Sequence, residues 1–266
     1  MSIFDQFRLD GQVALITGSG KGIGAEIART FAEAGANIVL CSRTEADLRA
    51  VAIEIEAMGR KVLIVPTDIM QDEQRDSLIE ECFNEFGRLD ILVNNTGGTA
   101  PGPALDSSIE LFENSFRFNV STAFDMSIKC APRMVETAGG GSIINISSIA
   151  GHKPTPCFSV YGTAKGALSI LTQELAQEFA PKIRVNAIAV GSTKTDALNT
   201  VLDEGIEQAM VELTPMNRLG EVEDVAIGAL YLASPASSYV TGDILGVNGG
   251  LERLNMRMPR AFGGST

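Results

Sequence analysis

Seven short apolar runs recur along the chain: VALIT (13–17), NIVLC (37–41), KVLIV (61–65), DILVN (90–94), SIINI (142–146), RVNAIAV (184–190) and DILGV (243–247). They are β-branched and nearly continuous in apolar residues, the pattern of strands buried on both faces. Between them apolar residues recur at threes and fours. Examples are Leu48, Val51, Ile55 and Met58, then Leu78, Ile79, Cys82, Phe83 and Phe86, and this spacing predicts helices with one buried face. Strand and helix alternating so regularly predict an α/β fold, a parallel sheet covered on both sides. No linker-like stretch or shift in composition divides the pattern, so residues 1–266 are expected to form one domain.

Three polar segments interrupt the rhythm: GGTAPGPALDSS (97–108), IAGHKPTPCF (149–158) and a long stretch from Gly191 to Gly220. Each follows a predicted strand. In an open parallel sheet the ligand crevice lies beyond the strands' C-terminal ends, so these segments are the expected walls of a site.

Composition narrows the classes of function. With 266 residues, 45% hydrophobic and 20% charged, the chain can bury a large core. Its net charge of −12 leaves no basic stripe for a nucleic acid or an anionic membrane, and neither partner is expected. The opening MSIFDQFRLDG has no sustained apolar run, and no later stretch reaches the length of a membrane span, so the cytoplasm is the expected compartment. Cys41, Cys82, Cys130 and Cys157 are widely spaced and His152 is the sole histidine, so reduced thiols and no metal site are expected.

Directly after the first run comes TGSGKGIG, Thr17 to Gly24, which leads into a helical pattern. Glycines at a strand-to-helix turn let the backbone approach a pyrophosphate, and the helix N-terminus offers free N–H groups. Gly18, Ser19, Gly20, Lys21, Gly22, Ile23 and Gly24 are therefore candidate cofactor residues, the alternative being a tight turn without ligand. The second run ends in Cys41, Ser42 and Arg43, with no acid where a ribose 2′-hydroxyl is usually bound. Ser42, Arg43 and Lys21 suit a 2′-phosphate, so NADP(H) is expected rather than NAD(H). In TDI, Asp68 can accept from the adenine amino group, with Ile69 beside it. In NNTGG, Asn95, Thr96 and Gly97 are expected beside the cofactor, while Asn94 has two open readings, a cofactor contact or a tie between strands.

The stretch YGTAK sets Tyr161 and Lys165 one helical turn apart on one face. A neighbouring ammonium favours the phenolate, which would let the pair act as acid and base. Ser148, in NISS at the end of the fifth strand, can hold a substrate oxygen. Asn119, in RFNV at the start of a long helix, can position a water that links Lys165 to solvent, or can act as an N-cap. Singly each residue has an ordinary structural explanation. Together, downstream of a phosphate turn, they point to hydride transfer at a carbinol carbon.

TGSGKGIG, NNTGG, FNV, NISS and YGTAK together resemble the single-domain branch of the short-chain dehydrogenase/reductase family, over residues 8 to 250. The resemblance implies a Rossmann-like, doubly wound, three-layer fold with a seven-stranded parallel sheet. It also implies a catalytic tetrad of Asn119, Ser148, Tyr161 and Lys165, in which Lys165 bonds the nicotinamide ribose as well as lowering the Tyr161 pKa. Gly191, Thr193 and Thr195 correspond to positions that hold the carboxamide and pyrophosphate. Two positions depart from the family pattern: Thr96 replaces an alanine, and Val190 replaces a proline before Gly191.

RLDGQVALITG, DILVNNTGG and the segment TDAL…IEQAM…TP…RLG are further similar to bacterial 7α-hydroxysteroid dehydrogenases. A secondary alcohol or ketone, steroid-like or otherwise, is the expected substrate class. A carrier-protein 3-oxoacyl reductase is the alternative, and it would need Arg117, Lys129 and Arg133 to gather as a basic patch against the acidic whole. A scaffold that binds NADP without turnover is a third reading. Residues 191–220, with Ala197, Leu198, Val201, Leu202, Ile206, Met210 and Leu213, read either as a flap over the cleft or as a stripe packed on the body. The tail, about 251–266, reads as a cap on a neighbour's cleft or as frayed. By the same resemblance the helices around 109–137 and 159–180 pair copies into a homotetramer, with a dimer as the alternative.

Overall fold

The computed structural model describes residues 2–195, 198, 204–256 and 258–262. Its strands are β1 (Val13–Thr17), β2 (Asn37–Ser42), β3 (Val62–Pro66), β4 (Ile91–Asn94), β5 (Gly141–Ser148), β6 (Ile183–Val190) and β7 (Ile244–Val247). All pair in parallel, in the order β3-β2-β1-β4-β5-β6-β7. The chain winds outward from β1 to β3, then returns to set β4 on the other side of β1. This reversal opens a crevice at the C-terminal ends of β1 and β4.

The helices are α1 (Gly22–Glu33), α2 (Glu45–Ala57), α3 (Asp72–Phe86), α4 (Ile109–Phe116), α5 (Thr122–Ala138), α6 (Ser159–Phe179), α7 (Glu204–Glu212) and α8 (Val222–Ala233). Side chains alternate across each strand, and both faces of the sheet are covered. Ala14 and Ile16 of β1 pack with Phe31 of α1, Leu48 of α2 and Leu232 of α8. Val13 and Leu15 pack on the opposite face with Leu78 of α3 and Met126 and Met134 of α5. Two apolar faces explain why the strands read as continuous apolar runs rather than alternating ones. β3 and β7 depart from that expectation: as edge strands they are mostly half-buried. The Rossmann-like seven-stranded sheet matches the expected architecture.

Two details position the site. β5 runs two residues past its apolar core and so includes Ser147 and Ser148. Between α4 and α5 the backbone adopts one π-helical turn, Arg117–Ser121, which re-aims the side chains of that turn, including Asn119. Asn94 takes the structural reading, since its amide donates to Asn145 Oδ1 at 2.9 Å and to Ser127 Oγ at 3.2 Å inside the sheet. Among the described residues no helix is long and apolar enough to cross a membrane.

Candidate active site

The turn after β1 is fixed by close backbone approach. Gly18 and Gly22 have φ of +67° and +55°, a region costly for residues with a Cβ. A methyl group on Gly24 would lie 2.3 Å from the Gly18 carbonyl oxygen, so α1 can seat against the turn only with glycine there. The N-cap residue of α1, Lys21, makes no side-chain capping bond, which leaves the first N–H groups of the helix facing the crevice. These features fit a dinucleotide pyrophosphate. Ser19 is fully buried and its hydroxyl accepts from Cys41 N at 2.9 Å, stitching the turn to β2. Ile23 packs against the core.

At the end of β2, Ser42 Oγ lies 2.9 Å from where a Gly20 Cβ would stand. Arg43 is exposed and has no ion-pair partner among the described residues. Lys21 is not free: its Nζ sits 3.2 Å from Asp47 Oδ2. β2 ends without an acid as expected, but one from α2 stands beside the glycine turn. Asp47, in the first turn of α2, reaches back to the glycine turn because β2 and α2 are joined by a short connection. Asp68 is half-buried and partly engaged, with Oδ1 accepting from Met70 N at 3.0 Å. The carbonyl of the buried Ile69 accepts from the buried Arg75 at 2.6 Å.

The exit of β4 is pinned to the same turn. Thr17 Oγ1 accepts from the N–H groups of both Asn95 and Thr96, each at 3.0 Å. Asn95 Nδ2 donates to Thr17 O at 2.9 Å and Gly18 O at 3.1 Å, so its amide shapes the turn instead of standing free for a ligand. The hydroxyl of Thr96, where the family pattern has alanine, would lie 3.0 Å from a Cβ on Gly18. Asn119 is neither an N-cap nor free. Its Oδ1 accepts from Gly98 N at 2.8 Å and its Nδ2 donates to Ser115 O at 2.8 Å, which clamps the loop after β4. A Cβ on Gly97 would lie 2.7 Å from both Asn119 Oδ1 and Lys165 Nζ, so glycine is what lets these two polar ends converge.

On the neighbouring strand, Ser148 ends β5, its hydroxyl accepting from Ala150 N at 3.1 Å and lying close enough to the Tyr161 phenol to favour its ionised form. Lys165, one turn further along α6, is 3% exposed and donates to Ile146 O at 2.8 Å. Its ammonium stands 5.9 Å from the Tyr161 ring centre. Burial pushes the Lys165 pKa down to about 8. Burial also pushes the Tyr161 phenol above its ordinary value, and the nearby Ser148 hydroxyl only partly opposes this. Desolvation outweighs an ammonium whose proton is directed at a carbonyl.

The remaining wall comes from the β6 exit and the tail. A Cβ on Gly191 would lie 2.6 Å from Asn248 Cα, so this glycine serves the crossing of the β6 and β7 exits. Thr193 is buried and pairs with Gly220. Thr195 stands across the crevice, its Cγ2 3.7 Å from where a Gly22 Cβ would be. In the flap Met210 is buried while Ile206 and Leu213 are turned outward, so the apolar stripe is split between packing and exposure. Leu198 is half-buried, and Ala197, Val201 and Leu202 lie outside the described residues.

Part of the tail packs on its own chain, while residues 259–262 are exposed. Leu251 and Leu254 are buried against Ile149 and Phe158, with Met256 and Met258 packed near Tyr161. Asn255 is 2% exposed; its Oδ1 accepts from Ser192 Oγ at 2.5 Å and its Nδ2 donates to Met210 O at 3.0 Å. One amide thus ties tail, flap and β6 exit together, a role no periodicity announces. Beside it a cleft of about 840 Å³ lies between residues 103–106, the 150–159 loop, α6 and residues 259–261.

Known proteins align along nearly all of this framework. The family model described as enoyl-(acyl carrier protein) reductase matches residues 18–252. An uncharacterised oxidoreductase of Mycobacterium tuberculosis is 46% identical over 97% of this chain and 98% of its own length. The 7α-hydroxysteroid dehydrogenase of Escherichia coli is 41% identical over 94% of this chain and 98% of its own. A solved 7α-hydroxysteroid dehydrogenase, complexed with NADH and 7-oxoglycochenodeoxycholic acid, superposes with a TM-score of 0.91 at 40% identity, covering 96% of this chain and all of that one. On these likenesses the chain belongs to the short-chain dehydrogenase/reductase family.

Proposed function

We propose that this chain is an NADP(H)-dependent oxidoreductase, one catalytic domain that interconverts a secondary alcohol and a ketone. The observation that carries the reading is Tyr161 with the buried Lys165 ammonium 5.9 Å from its ring, at the β5 exit where Ser148 ends the strand. A bound nicotinamide would supply or accept the hydride. In the reducing direction Tyr161 donates its proton to the substrate oxygen and Ser148 holds that oxygen by its hydroxyl. A phenol with a raised pKa is well suited to keep its proton until the oxygen becomes basic. Lys165, with a pKa near 8, carries positive charge at neutral pH and favours the phenolate that remains. Asn119 holds the loop after β4 in place beside that ammonium. Gly18, Gly20, Gly22, Gly24 and Thr195 would hold the pyrophosphate, and Ser42, Arg43 and Lys21 the adenosine phosphate.

A bulky, mainly apolar ketone of the hydroxysteroid kind is the favoured substrate. The likeness to a dehydrogenase solved with a 7-oxo bile acid supports it. The carrier-protein alternative has less support. Arg117 pairs with Asp72 at 3.4 Å, Lys129 with Asp76 at 2.6 Å and Arg133 with Glu80 at 2.5 Å, so the candidate docking cations are already neutralised. Exposed Ile109, Phe112 and Phe116 on α4, Phe124 and Ile128 on α5 and Ile170 on α6 support self-association, as a homotetramer or a dimer. Four free cysteines suit a reducing cytoplasm. The test is NADPH and NADH oxidation by purified protein against oxo-steroids, keto-esters and acyl thioesters. Turnover of an oxo-steroid supports the reading, and silence across the panel overturns it.

A further inference from the structure

We propose that Asp47 is a cofactor-selectivity residue, whose carboxylate acts as a built-in counter-charge that weakens binding of a 2′-phosphate while leaving a 2′-hydroxyl nucleotide nearly unaffected. The proposal rests on the dinucleotide reading of the glycine turn. Three groups meet at that corner. Ser42 Oγ and Asp47 Cβ would lie 2.9 Å and 3.1 Å from a Cβ on Gly20, so the carboxylate belongs to the same few ångströms as the end of β2. Lys21 Nζ stands 3.2 Å from Asp47 Oδ2. Arg43 alone is uncommitted there among the described residues.

A 2′-phosphate carries between one and two negative charges and recruits cations by charge-assisted bonds. Here it would meet one free guanidinium and one ammonium already shared with a carboxylate. Binding must either pull Lys21 away from Asp47 or leave the phosphate close to a like charge. The 2′-hydroxyl of the other cofactor is neutral and escapes both costs, and a carboxylate at that corner can accept its proton. Asp47 is a quarter exposed and Lys21 mostly so, which keeps the effect moderate and sensitive to salt. The corner thus holds the cations expected of an NADP site together with an acid that opposes them, and the balance between the two cofactors is set by one side chain.

Isothermal titration with 5′-AMP and 2′,5′-ADP separates the phosphate at issue from the rest of the cofactor and needs no turnover. The expected result in wild type is binding of both nucleotides. Asp47→Asn is expected to tighten 2′,5′-ADP by about tenfold at low salt and to change 5′-AMP by less than twofold. Lys21→Met is expected to weaken 2′,5′-ADP, and adding Asp47→Asn to Lys21→Met is expected to restore much less than it gains alone. A ratio of the two affinities that Asp47→Asn leaves unchanged overturns the proposal, with the dinucleotide reading intact. Parallel losses for both nucleotides would assign Asp47 to the stability of the turn and also overturn it. Failure of wild type to bind either nucleotide would overturn the dinucleotide reading itself.

Discussion

On the nucleotide side of the crevice, a turn of eight residues is held by its own backbone and by short side chains from two neighbouring strands: Thr17, Ser19 and Asn95 all bond within it or to β2. On the substrate side, four segments distant in sequence meet, and a single buried amide, Asn255, joins three of them. The first construction leaves the pyrophosphate-facing N–H groups no alternative position. The second gives a wall whose shape depends on few bonds and can change while the turn stays fixed. A rigid cofactor seat beside an adjustable substrate wall is what a fold needs to keep one chemistry across many substrates.

Four changes would break or sharpen that contrast. Tyr161→Phe keeps both walls and removes the acid, so kcat is expected to fall about a thousandfold with nucleotide affinity within twofold, by steady-state kinetics and fluorescence titration. Unchanged turnover would remove Tyr161 from the mechanism. Gly24→Ala puts a methyl into the Gly18 carbonyl, with an expected cost of about 3 kcal/mol in urea unfolding and loss of nucleotide binding. If the variant still binds nucleotide as wild type does, the seat is less rigid than described.

Asn255→Ala is expected to cost about 2 kcal/mol by stranding the Ser192 hydroxyl and the Met210 carbonyl, and to raise KM more than it lowers kcat. An equal loss in nucleotide binding would show that the two walls are not independent. The smallest effect is that of Lys165→Met. With a folded pKa near 8 against an ordinary 10.5, Lys165 holds fewer protons folded than unfolded in that window, so its contribution makes stability rise as pH increases from about 8 to 10.5. Below pH 8 the cost of the buried charge is fully present. The variant is therefore expected to be about 1 kcal/mol more stable than wild type at pH 7, though inactive, with that advantage fading above pH 8, as followed by thermal melting across pH.

The contrast also explains what could be read in advance. The glycine turn is local: Gly18 to Gly24 and the start of α1 are contiguous, so spacing alone announced them. Tyr161 and Lys165 were legible for the same reason, being one turn apart on one helix. Asp47 was hidden because an acid in the first turn of a helix is common as a partner of the helix dipole, and nothing local says that it reaches back to Lys21. The side-chain bonds of Ser19 and Asn95 that stitch the turn to β2 and β4 were not legible, because residue type and place in a motif do not report which way a side chain turns.

Hydrophobic period by itself determined the alternation of strand and helix and the parallel sheet, since it reports which faces of each local element are buried. Packing decided the rest. The burial that raises the Tyr161 phenol, the carboxylate shared with Lys21 and the amide that anchors the tail all arise between segments brought together only when the sheet closes. Their energies depend on distance and desolvation, which a linear pattern does not carry.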